Sequence, residues 1–263
     1  MSEEIIKEIL IKRGQDILSK SFTPVRFSGH KDADALLNDL EAHPHAFVIA
    51  CVIDRHIRAE MAWSIPFALE QRLGSFEFAA LQALSLEEVR SLMSEPEPLH
   101  RFPDLMAKNL FLAKERIADQ YLGKASNIWA STPSSATIVR RFLEFEGIGQ
   151  KIATMAATIL VRDFKIPVSD KVSIDISPDV QVRRVFTRLG LVTSEASNEE
   201  LIYKARELNP MYPGIFDLSA WEIGRKWCRP KVPRCDACYM GECCPTARSS
   251  GRVDGACPHD QGA

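Results

Sequence analysis

The chain has 263 residues, of which 46% are hydrophobic and 26% are charged, and its formal net charge is −2. Such a composition is ordinary for a globular protein, and the overall charge does not indicate a nucleic-acid partner. The sequence contains no apolar run of the ~18 residues that a membrane span needs, and its N-terminus is charged, unlike a signal peptide. We therefore expect a cytoplasmic protein without a membrane partner, in which any surface for an anionic ligand comes from local clustering of charge.

The first part of the chain predicts helices. Apolar residues recur at helical spacing in IIKEILIKRGQDIL, residues 5–18, which predicts a first helix. Residues 45–74 begin with an almost wholly apolar run, typical of a buried helix, and continue as an amphipathic segment that ends at Gly74. Cys51 lies within the apolar run, so we expect it in the core.

Helix signals continue along the rest of the chain. Ser85 and Glu88 have the spacing of a capping box, and so do Ser197 and Glu200 further on. Between them, residues 102–123 have the pattern of a longer helix. Because strand-like alternation is nearly absent, the sequence predicts an all-α fold.

A short glycine-containing turn separates two helical patterns at residues 145–151, Phe-Glu-Gly-Ile-Gly-Gln-Lys. Gly147 and Gly149 let the chain turn tightly and leave backbone N–H groups bare at the start of the next helix. Ile148 is expected to point back between the two helices. Bare N–H groups and the helix dipole suit a phosphate oxygen. An ordinary helix–helix turn is the alternative, because Gly-x-Gly alone is a weak motif.

Five of the seven cysteines crowd together near the C-terminus. Four of them have the spacing C-x6-C-x2-C-x5-C, at Cys228, Cys235, Cys238 and Cys244. Four thiolates on one short loop can surround a soft metal centre, either structural zinc or an iron–sulfur cluster. Cys243 adjoins the last of the four and competes for the fourth position, whereas Cys257 has no obvious partner.

The cysteine loop is also basic. Residues 225–234 contain five cations and no acid: Arg225, Lys226, Arg229, Lys231 and Arg234. A solvated surface is one explanation of such a charge run. A contact with a phosphate backbone is the interpretation we favour, because the prolines of the loop hold these charges on a stiff segment. Arg229 and Arg234 are its main candidates.

Two of these motifs resemble one family. The cysteine spacing, and the hairpin followed by Gln-Lys-Ile-Ala, resemble the endonuclease III superfamily of helix-hairpin-helix DNA glycosylases, over about residues 30–245. The resemblance implies a [4Fe-4S] cluster rather than zinc, with Cys244 as the fourth ligand. It places Lys151 at the position of the family's catalytic lysine. Glu146 departs from the pattern, because a proline is usual there.

The resemblance also implies a catalytic aspartate at the start of a later helix. SPDVQVRRVFTRLG fits, with Ser177 as N-cap, Pro178 as first helical residue and Asp179 in the first turn, where the dipole favours a carboxylate. The interval after the hairpin is longer than usual, so the preceding loop carries an insertion. Asp170 and Asp175 in that loop are therefore rivals.

The family resemblance implies a base-excision-repair glycosylase that flips a damaged or mismatched base out of double-stranded DNA and excises it. It further implies AP-lyase activity through a lysine Schiff base. Two alternatives stay open: a monofunctional glycosylase in which Asp179 activates water, and a non-catalytic DNA-binding protein. We expect a monomer, associated with the nucleoid in a prokaryote. Oxidised pyrimidines are the default substrate, with mismatched uracil or thymine and alkylated purines open.

The implied architecture has two helical lobes with a DNA-binding cleft between them, and Lys151 and Asp179 facing each other. We expect residues 1–40 to pack with a cluster lobe of residues 166–246. Residues 41–165 would form the helical lobe that ends in the hairpin, and residues 247–263 a loose tail.

Base flipping usually needs a side chain that fills the vacated space. Arg55 and His56 lie where the family carries its inserting glutamine. Arg55 is therefore a candidate DNA contact, although an arginine on an amphipathic segment is more often solvated. His100, near another loop, either contacts a base or phosphate or is an ordinary surface histidine.

Overall fold

The computed structural model describes residues 3–253 and Cys257, and within that part of the chain it contains helices and no β-strand. The all-α prediction is confirmed. None of these helices combines the length and the apolar character that a membrane span requires. Besides a 3₁₀ turn at Ala125–Ile128, the helices are α1 Glu3–Leu18, α2 Lys31–Asn38, α3 Pro44–Ile53, α4 Ala59–Leu73, α5 Phe78–Gln82, α6 Leu86–Ser94, α7 Pro103–Tyr121, α8 Ser135–Leu143, α9 Gln150–Arg162, α10 Val180–Arg188, α11 Asn198–Leu208, α12 Ile215–Lys226 and α13 Pro245–Ser249.

The chain divides into two compact units. Phe22–Ser169 forms the first, which we call the hairpin unit because it contains residues 145–151. Met1–Ser21 and Asp170–Ala263 form the second, which we call the cysteine unit. The chain passes from one unit to the other inside the loop that the sequence marks as an insertion.

The hairpin unit is built around α3. All ten residues of this helix are buried, as its almost wholly apolar sequence predicts, and Cys51 is fully buried among them. The helices α2, α4, α7 and α9 pack against α3. A helix that is apolar on every side is stable only when other elements cover all its faces, which explains why this unit is layered around it.

Three predicted helix boundaries are confirmed. Gly74 caps α4 at a φ of +78°, in the left-handed region that glycine adopts without strain. Both predicted capping boxes form. The Glu88 N–H donates to Ser85 Oγ and the Ser85 N–H to the Glu88 carboxylate, and Ser197 and Glu200 repeat the arrangement.

Helix α2 belongs to the hairpin unit, whereas residues 1–40 were all expected to pack with the cluster lobe. Its buried residues Ala33, Leu36 and Leu37 lie on the side of α2 that packs against α3 and α4. Because those two helices offer a large apolar surface, α2 completes the hairpin unit, and α1 alone packs in the cysteine unit.

In the cysteine unit, α12 is the central helix. Helix α1 approaches it closely at Gly14, where a Cβ atom would lie 2.6 Å from the carbonyl oxygen of Ile215. On another side α10 packs against α12, and the rings of Phe186 and Phe216 meet edge to face at 6.2 Å. These contacts fix α10, which follows Asp179 directly.

Candidate functional site

The predicted hairpin is present between α8 and α9. Gly147 has a φ of +90°, which lets the chain reverse within a few residues. The N–H of Ile148 donates to the carbonyl oxygen of Phe145 at 3.0 Å, and the Ile148 side chain is buried in the core of the unit. Ile148 therefore points between the helices, as expected, and anchors the turn.

Gly147 is also a point of close approach. A Cβ atom there would lie 2.5 Å from Nδ2 of Asn109 on α7 and 3.1 Å from an Nη atom of Arg55. The Asn109 amide is buried, and its Nδ2 has no hydrogen-bond partner among the described residues. Asn109 was not among the residues predicted from the sequence. A polar residue among the buried positions of α7 was the only signal that could have singled it out.

Replacement of Gly147 by alanine should destabilise the protein. The left-handed conformation costs an L-residue about 1–2 kcal/mol, and the new methyl group meets the Asn109 amide as well. We expect the midpoint of thermal unfolding to fall by at least about 2 °C. Gly149→Ala is the matched control, because Gly149 has a φ of −94° and no atom within 4 Å of its Cβ position. Equal midpoints for the two variants would contradict this account.

The start of α9 is open to solvent. Gly149 precedes the helix in extended conformation and has no side chain that could cap the first N–H groups. Gln150 and Lys151 follow and are exposed. Burial raises the pKa of the Asp54 carboxyl. The positive charge of Lys151 lowers this pKa, but to a smaller extent. Asp54 was not predicted from the sequence. It lies near Lys151, the candidate nucleophile.

His100 is not a surface histidine, and the prediction that it contacts a base or phosphate is not supported. It is 4% exposed, and its Nδ1 accepts the N–H of Phe102 at 2.9 Å. Nε2 therefore carries the hydrogen and donates to the carbonyl oxygen of Arg55 at 2.8 Å. Through these hydrogen bonds His100 links the loop after α3 to the residue before α7. Because it binds the carbonyl oxygen of Arg55, it holds that residue near the hairpin.

The same two loops expose an aromatic pair. His56 has a φ of +56°, and its ring meets the ring of Phe102 edge to face at 5.6 Å. Phe102 is 41% exposed, and the Arg101 guanidinium lies over its ring. A phenylalanine at the start of the helix predicted over residues 102–123 was the sequence signal that could have revealed this feature.

The predicted role of Ser177 as a helix cap is wrong. The Ser177 N–H donates to both carboxylate oxygens of Asp217 at 2.9 Å, and Asp179 itself caps α10. Its Oδ1 accepts the N–H groups of Gln181 and Val182 at 2.7 and 2.8 Å. Asp179 is exposed at the tip of the helix, so its carboxylate is fixed by the backbone and still accessible.

The rival Asp175 has a structural environment. It is 5% exposed and forms a two-pronged ion pair with Arg206, with both N–O distances at 2.7 Å. Asp170 is half-buried, and its carboxylate accepts the N–H of Val172 at 3.3 Å. Of the three carboxylates, Asp179 is the exposed one at a helix start.

The four cysteines of the predicted motif line one cavity of about 170 Å³ in the cysteine unit. Burial, together with the charges of the other three sulfurs nearby, raises the pKa of Cys238 to about 11. Among the described residues, no group of three or more His, Cys, Asp or Glu side chains converges so that it could hold a metal ion.

Cys243 does not compete for the fourth position, because it forms a disulfide with Cys257. Both residues are buried. The expectation that Cys257 lacks a partner is therefore wrong. The remaining residues of the C-terminal stretch, 254–256 and 258–263, lie outside the described part of the chain.

Two arginines of α10, neither of them predicted from the sequence, hold the cysteine loop. Arg184 donates to the carbonyl oxygen of Cys228 at 2.6 Å. Arg188 donates to Sγ of the same cysteine at 3.3 Å and to the carbonyl oxygen of Arg229 at 2.8 Å. Their spacing of four residues places them on one helix face, which is the pattern that could have revealed them.

The predicted basic residues Arg229 and Arg234 are exposed on this loop. The N–H of Arg234 donates to the carbonyl oxygen of Trp227 at 2.9 Å, which fixes the backbone beside the cavity. Arg225 stacks over the ring of Trp221 at 4.6 Å. The loop thus presents cations from a backbone that is held by hydrogen bonds.

Known proteins resemble this chain in part of its sequence and in its fold. No family model matches the sequence. Endonuclease III of Thermotoga maritima is 27% identical over 114 residues, which are 43% of this chain and 49% of that protein. The chain thus spans about half the length of the curated relative it matches.

Solved structures match over more of the chain. A trapped endonuclease III–DNA covalent intermediate has a TM-score of 0.53 at 16% identity, covering 96% of this chain and 100% of that one. A thermostable thymine-DNA glycosylase has a TM-score of 0.55 at 14% identity, covering 92% and 97%. At this identity the likeness defines the fold, and the chain has the all-helical, helix-hairpin-helix fold of the endonuclease III-like glycosylases.

Proposed function

We propose that the protein is a base-excision-repair DNA glycosylase that flips and removes a damaged or mismatched base, with AP-lyase activity through Lys151. The observation that carries this proposal is the exposed lysine in the first turn of α9, directly after a hairpin fixed by Gly147 and Ile148. The similar endonuclease III structure is a trapped covalent intermediate with DNA, which supports a covalent step for this chain too.

The hairpin would hold the DNA backbone. The uncapped N–H groups at the start of α9 and the positive end of the helix dipole suit a phosphate oxygen. Gly149 has open space at its Cβ position, so a phosphate can approach the backbone closely. This contact involves no base and therefore positions the DNA without selecting a sequence.

Lys151 would act as the nucleophile. Its amine attacks the sugar C1′ while the bond between C1′ and the base breaks, and the base leaves with that electron pair. The nitrogen then loses a proton, its lone pair forms the C=N bond as the C1′–O4′ bond breaks, and O4′ takes up a proton, which gives a Schiff base between lysine and sugar. Strand cleavage by elimination is the usual consequence of this Schiff base. Asp179 would stabilise the positive charge that the sugar develops, which a preorganised carboxylate does effectively.

The loop of Arg55 and His56 would enter the space that the flipped nucleotide vacates. Phe102 extends this surface with an exposed ring, which can stack on a neighbouring base. Arg55 is held beside Gly147, so the inserting loop and the phosphate-binding turn form one continuous surface. Oxidised pyrimidines remain the default substrate. Mismatched thymine gains support from the similar thymine-DNA glycosylase.

A [4Fe-4S] cluster would occupy the cavity of Cys228, Cys235, Cys238 and Cys244. Four thiolates can also hold a structural zinc ion, which is the alternative cofactor, and the resemblance to the endonuclease III family favours the cluster. Four thiols around a cavity fit a larger metal group, and cationic iron would favour the thiolate forms that burial disfavours. When bound, the cluster would stiffen the basic loop.

Iron and sulfide analysis tests the cofactor. Anaerobically purified protein should be yellow-brown and contain about four irons and four acid-labile sulfides per chain. Replacement of Cys238 by serine should lower both contents, whereas replacement of Cys51, which is buried in the other unit, should leave them unchanged. Stoichiometric zinc without iron would contradict the cluster.

Charge reversal at Arg229 or Arg234 should weaken binding to every duplex by a similar factor. Loss of one phosphate contact should also reduce the slope of log affinity against log salt by about 1. Equilibrium binding at several salt concentrations measures both quantities, with the exposed Lys20→Glu as control. A loss restricted to one lesion type would mean that these arginines read the base instead.

Borohydride trapping with lesion-containing duplexes tests the lyase proposal. A covalent protein–DNA complex supports the bifunctional enzyme. Base release without trapping would favour the monofunctional glycosylase in which Asp179 activates water. Binding without base release would leave a non-catalytic DNA-binding protein.

A further inference from the structure

Asp217 is a buried acid without a role in the proposed mechanism. It lies in the first turn of α12 and is 6% exposed. The helix dipole favours an acid in this turn. Both carboxylate oxygens of Asp217 also accept the N–H of Ser177, at 2.9 Å each. These hydrogen bonds have a second effect, because they fix the backbone of the segment that leads into α10.

Ser177 connects Asp217 to Asp179. The carbonyl oxygen of Ser177 accepts the N–H of Asp179 at 2.6 Å. Pro178 lies between the two, and its ring restricts φ, so a fixed Ser177 leaves the backbone of Asp179 little freedom. Oδ1 of Asp179 then accepts two N–H groups at the start of α10. The position of the Asp179 carboxylate therefore depends on α12 as well as on α10.

The loop before Ser177 is fixed against the same end of α12. Ile174 and Ile176 are buried. The N–H of Gly214, which precedes α12, donates to the carbonyl oxygen of Ile174 at 2.7 Å. A Cβ atom at Gly214 would lie 2.9 Å from that same oxygen, so glycine permits this close approach. The residues that lead to Asp179 are thus packed on the N-terminal end of α12, where Asp217 lies.

A carboxylate that stabilises a developing positive charge is effective when its position is fixed before the reaction. Catalytic groups need to be held within about 0.5 Å of the productive geometry, and neighbouring residues supply this rigidity. Asp179 is exposed, so its side chain gains little rigidity from packing. Hydrogen bonds that originate at a buried residue are the means by which this site can hold it.

Resting on the proposed function, we propose that Asp217 is a positioning residue that holds Asp179 in place for stabilisation of the charge on the sugar. Asp217 is buried and does not touch the DNA in this proposal. Its replacement should therefore lower the rate of base release and leave the affinity for DNA nearly unchanged.

The test compares Asp217→Asn and Asp217→Leu with the unmodified protein. Asparagine keeps one oxygen that can accept the N–H of Ser177, whereas leucine has a similar branched shape and no acceptor. We expect the single-turnover rate of base release to fall about threefold in Asp217→Asn and about tenfold in Asp217→Leu, less than the cost of losing the catalytic group itself. The dissociation constant for DNA should stay nearly the same.

Asp175→Asn is the matched structural control. Asp175 lies in the same loop and is also buried, but its ion pair joins that loop to Arg206 on α11. This variant should lose stability and keep its rate of base release, measured well below its midpoint of thermal unfolding. A merely structural Asp217 would give that same result, whereas a positioning residue lowers the rate of the folded protein.

A measurement without DNA separates this proposal from the proposed function. Hydrogen–deuterium exchange followed by NMR reports the protection of the N–H groups of Gln181 and Val182, which donate to Asp179. Asp217→Leu should lower this protection severalfold and preserve the protection of the N–H groups in the middle of α12. Should Asp217→Leu fail to fold, Asp217→Asn decides by the same measurements.

The outcomes distinguish the two proposals. If the unmodified protein releases no base from any duplex, the glycosylase proposal fails, and the exchange rates still decide whether Asp217 holds Asp179. Unchanged exchange at Gln181 and Val182 would overturn the positioning role. An undiminished rate of base release in the Asp217 variants of an active enzyme would overturn it as well.

Discussion

Lys151→Gln should abolish borohydride trapping, with no covalent complex detectable, while affinity for DNA changes little. Glutamine has no nucleophilic amine, so the bond to the sugar C1′ cannot form. Binding should persist because the backbone N–H groups at the start of α9 hold the phosphate in the proposed mode. Denaturing gels after reduction measure trapping, and a binding titration on the same duplex measures affinity.

The matched control is Lys124→Gln, which removes an exposed lysine from the same unit. It should trap DNA at the normal rate. If Lys151→Gln released the base at the full rate without trapping, the monofunctional mechanism would replace the bifunctional one. If it trapped DNA normally, Lys151 would not be the nucleophile.

Asp179→Asn should lower the rate of base release on the order of 10²–10³-fold, the typical cost of losing one preorganised electrostatic group. Its effect on stability should be small. Oδ1 of Asp179 accepts the N–H groups of Gln181 and Val182, and asparagine caps a helix about as well as aspartate. Single-turnover kinetics with saturating enzyme separates this loss of rate from any change in affinity.

The rival carboxylates provide the controls. Asp175→Asn should destabilise the protein by about 1–3 kcal/mol. Asparagine removes the negative charge of the ion pair and one of the two oxygens that accept hydrogen bonds from Arg206. The variant should retain catalysis at temperatures where it is folded. Asp170→Asn should retain both properties. Normal base release by Asp179→Asn together with folded but inactive Asp175→Asn would move the catalytic role to Asp175.

Features that depend on a few neighbouring residues could be predicted from the sequence. The capping boxes at Ser85 and Ser197 and the stop at Gly74 are local matters of hydrogen bonding and backbone conformation. The burial of α3 followed from its almost wholly apolar run. The hairpin is of the same kind, because Gly147 and Ile148 determine its turn within seven residues.

Features that depend on distant partners could not be predicted. Ser177 has the residue type of a helix cap, but its N–H binds Asp217, forty residues further along the chain, and Asp179 takes the cap instead. The sequence left His100 as either a contact with a base or phosphate or a surface histidine, because no local pattern indicates that Arg55 is its partner. The pairing of Cys243 with Cys257 likewise depends on how the chain returns after α13.

The candidate site shows the same division. The residue type and position of Lys151 were evident from the hairpin motif. The neighbours that shape the site, Asn109 and Asp54, come from α7 and the end of α3, and neither belongs to a motif. A buried amide and a half-buried acid gain meaning only when the fold brings them to the turn.

The central claim is that this protein breaks the bond between a base and its sugar. The most direct test incubates the purified protein with duplexes that each carry one defined change: an oxidised pyrimidine, a mismatched uracil or thymine, an alkylated purine, or none. Mass spectrometry then quantifies the free base. We predict release from at least one modified duplex, none from the unmodified duplex, and a large loss of release in Asp179→Asn. Retained binding without free base from any duplex would contradict the claim.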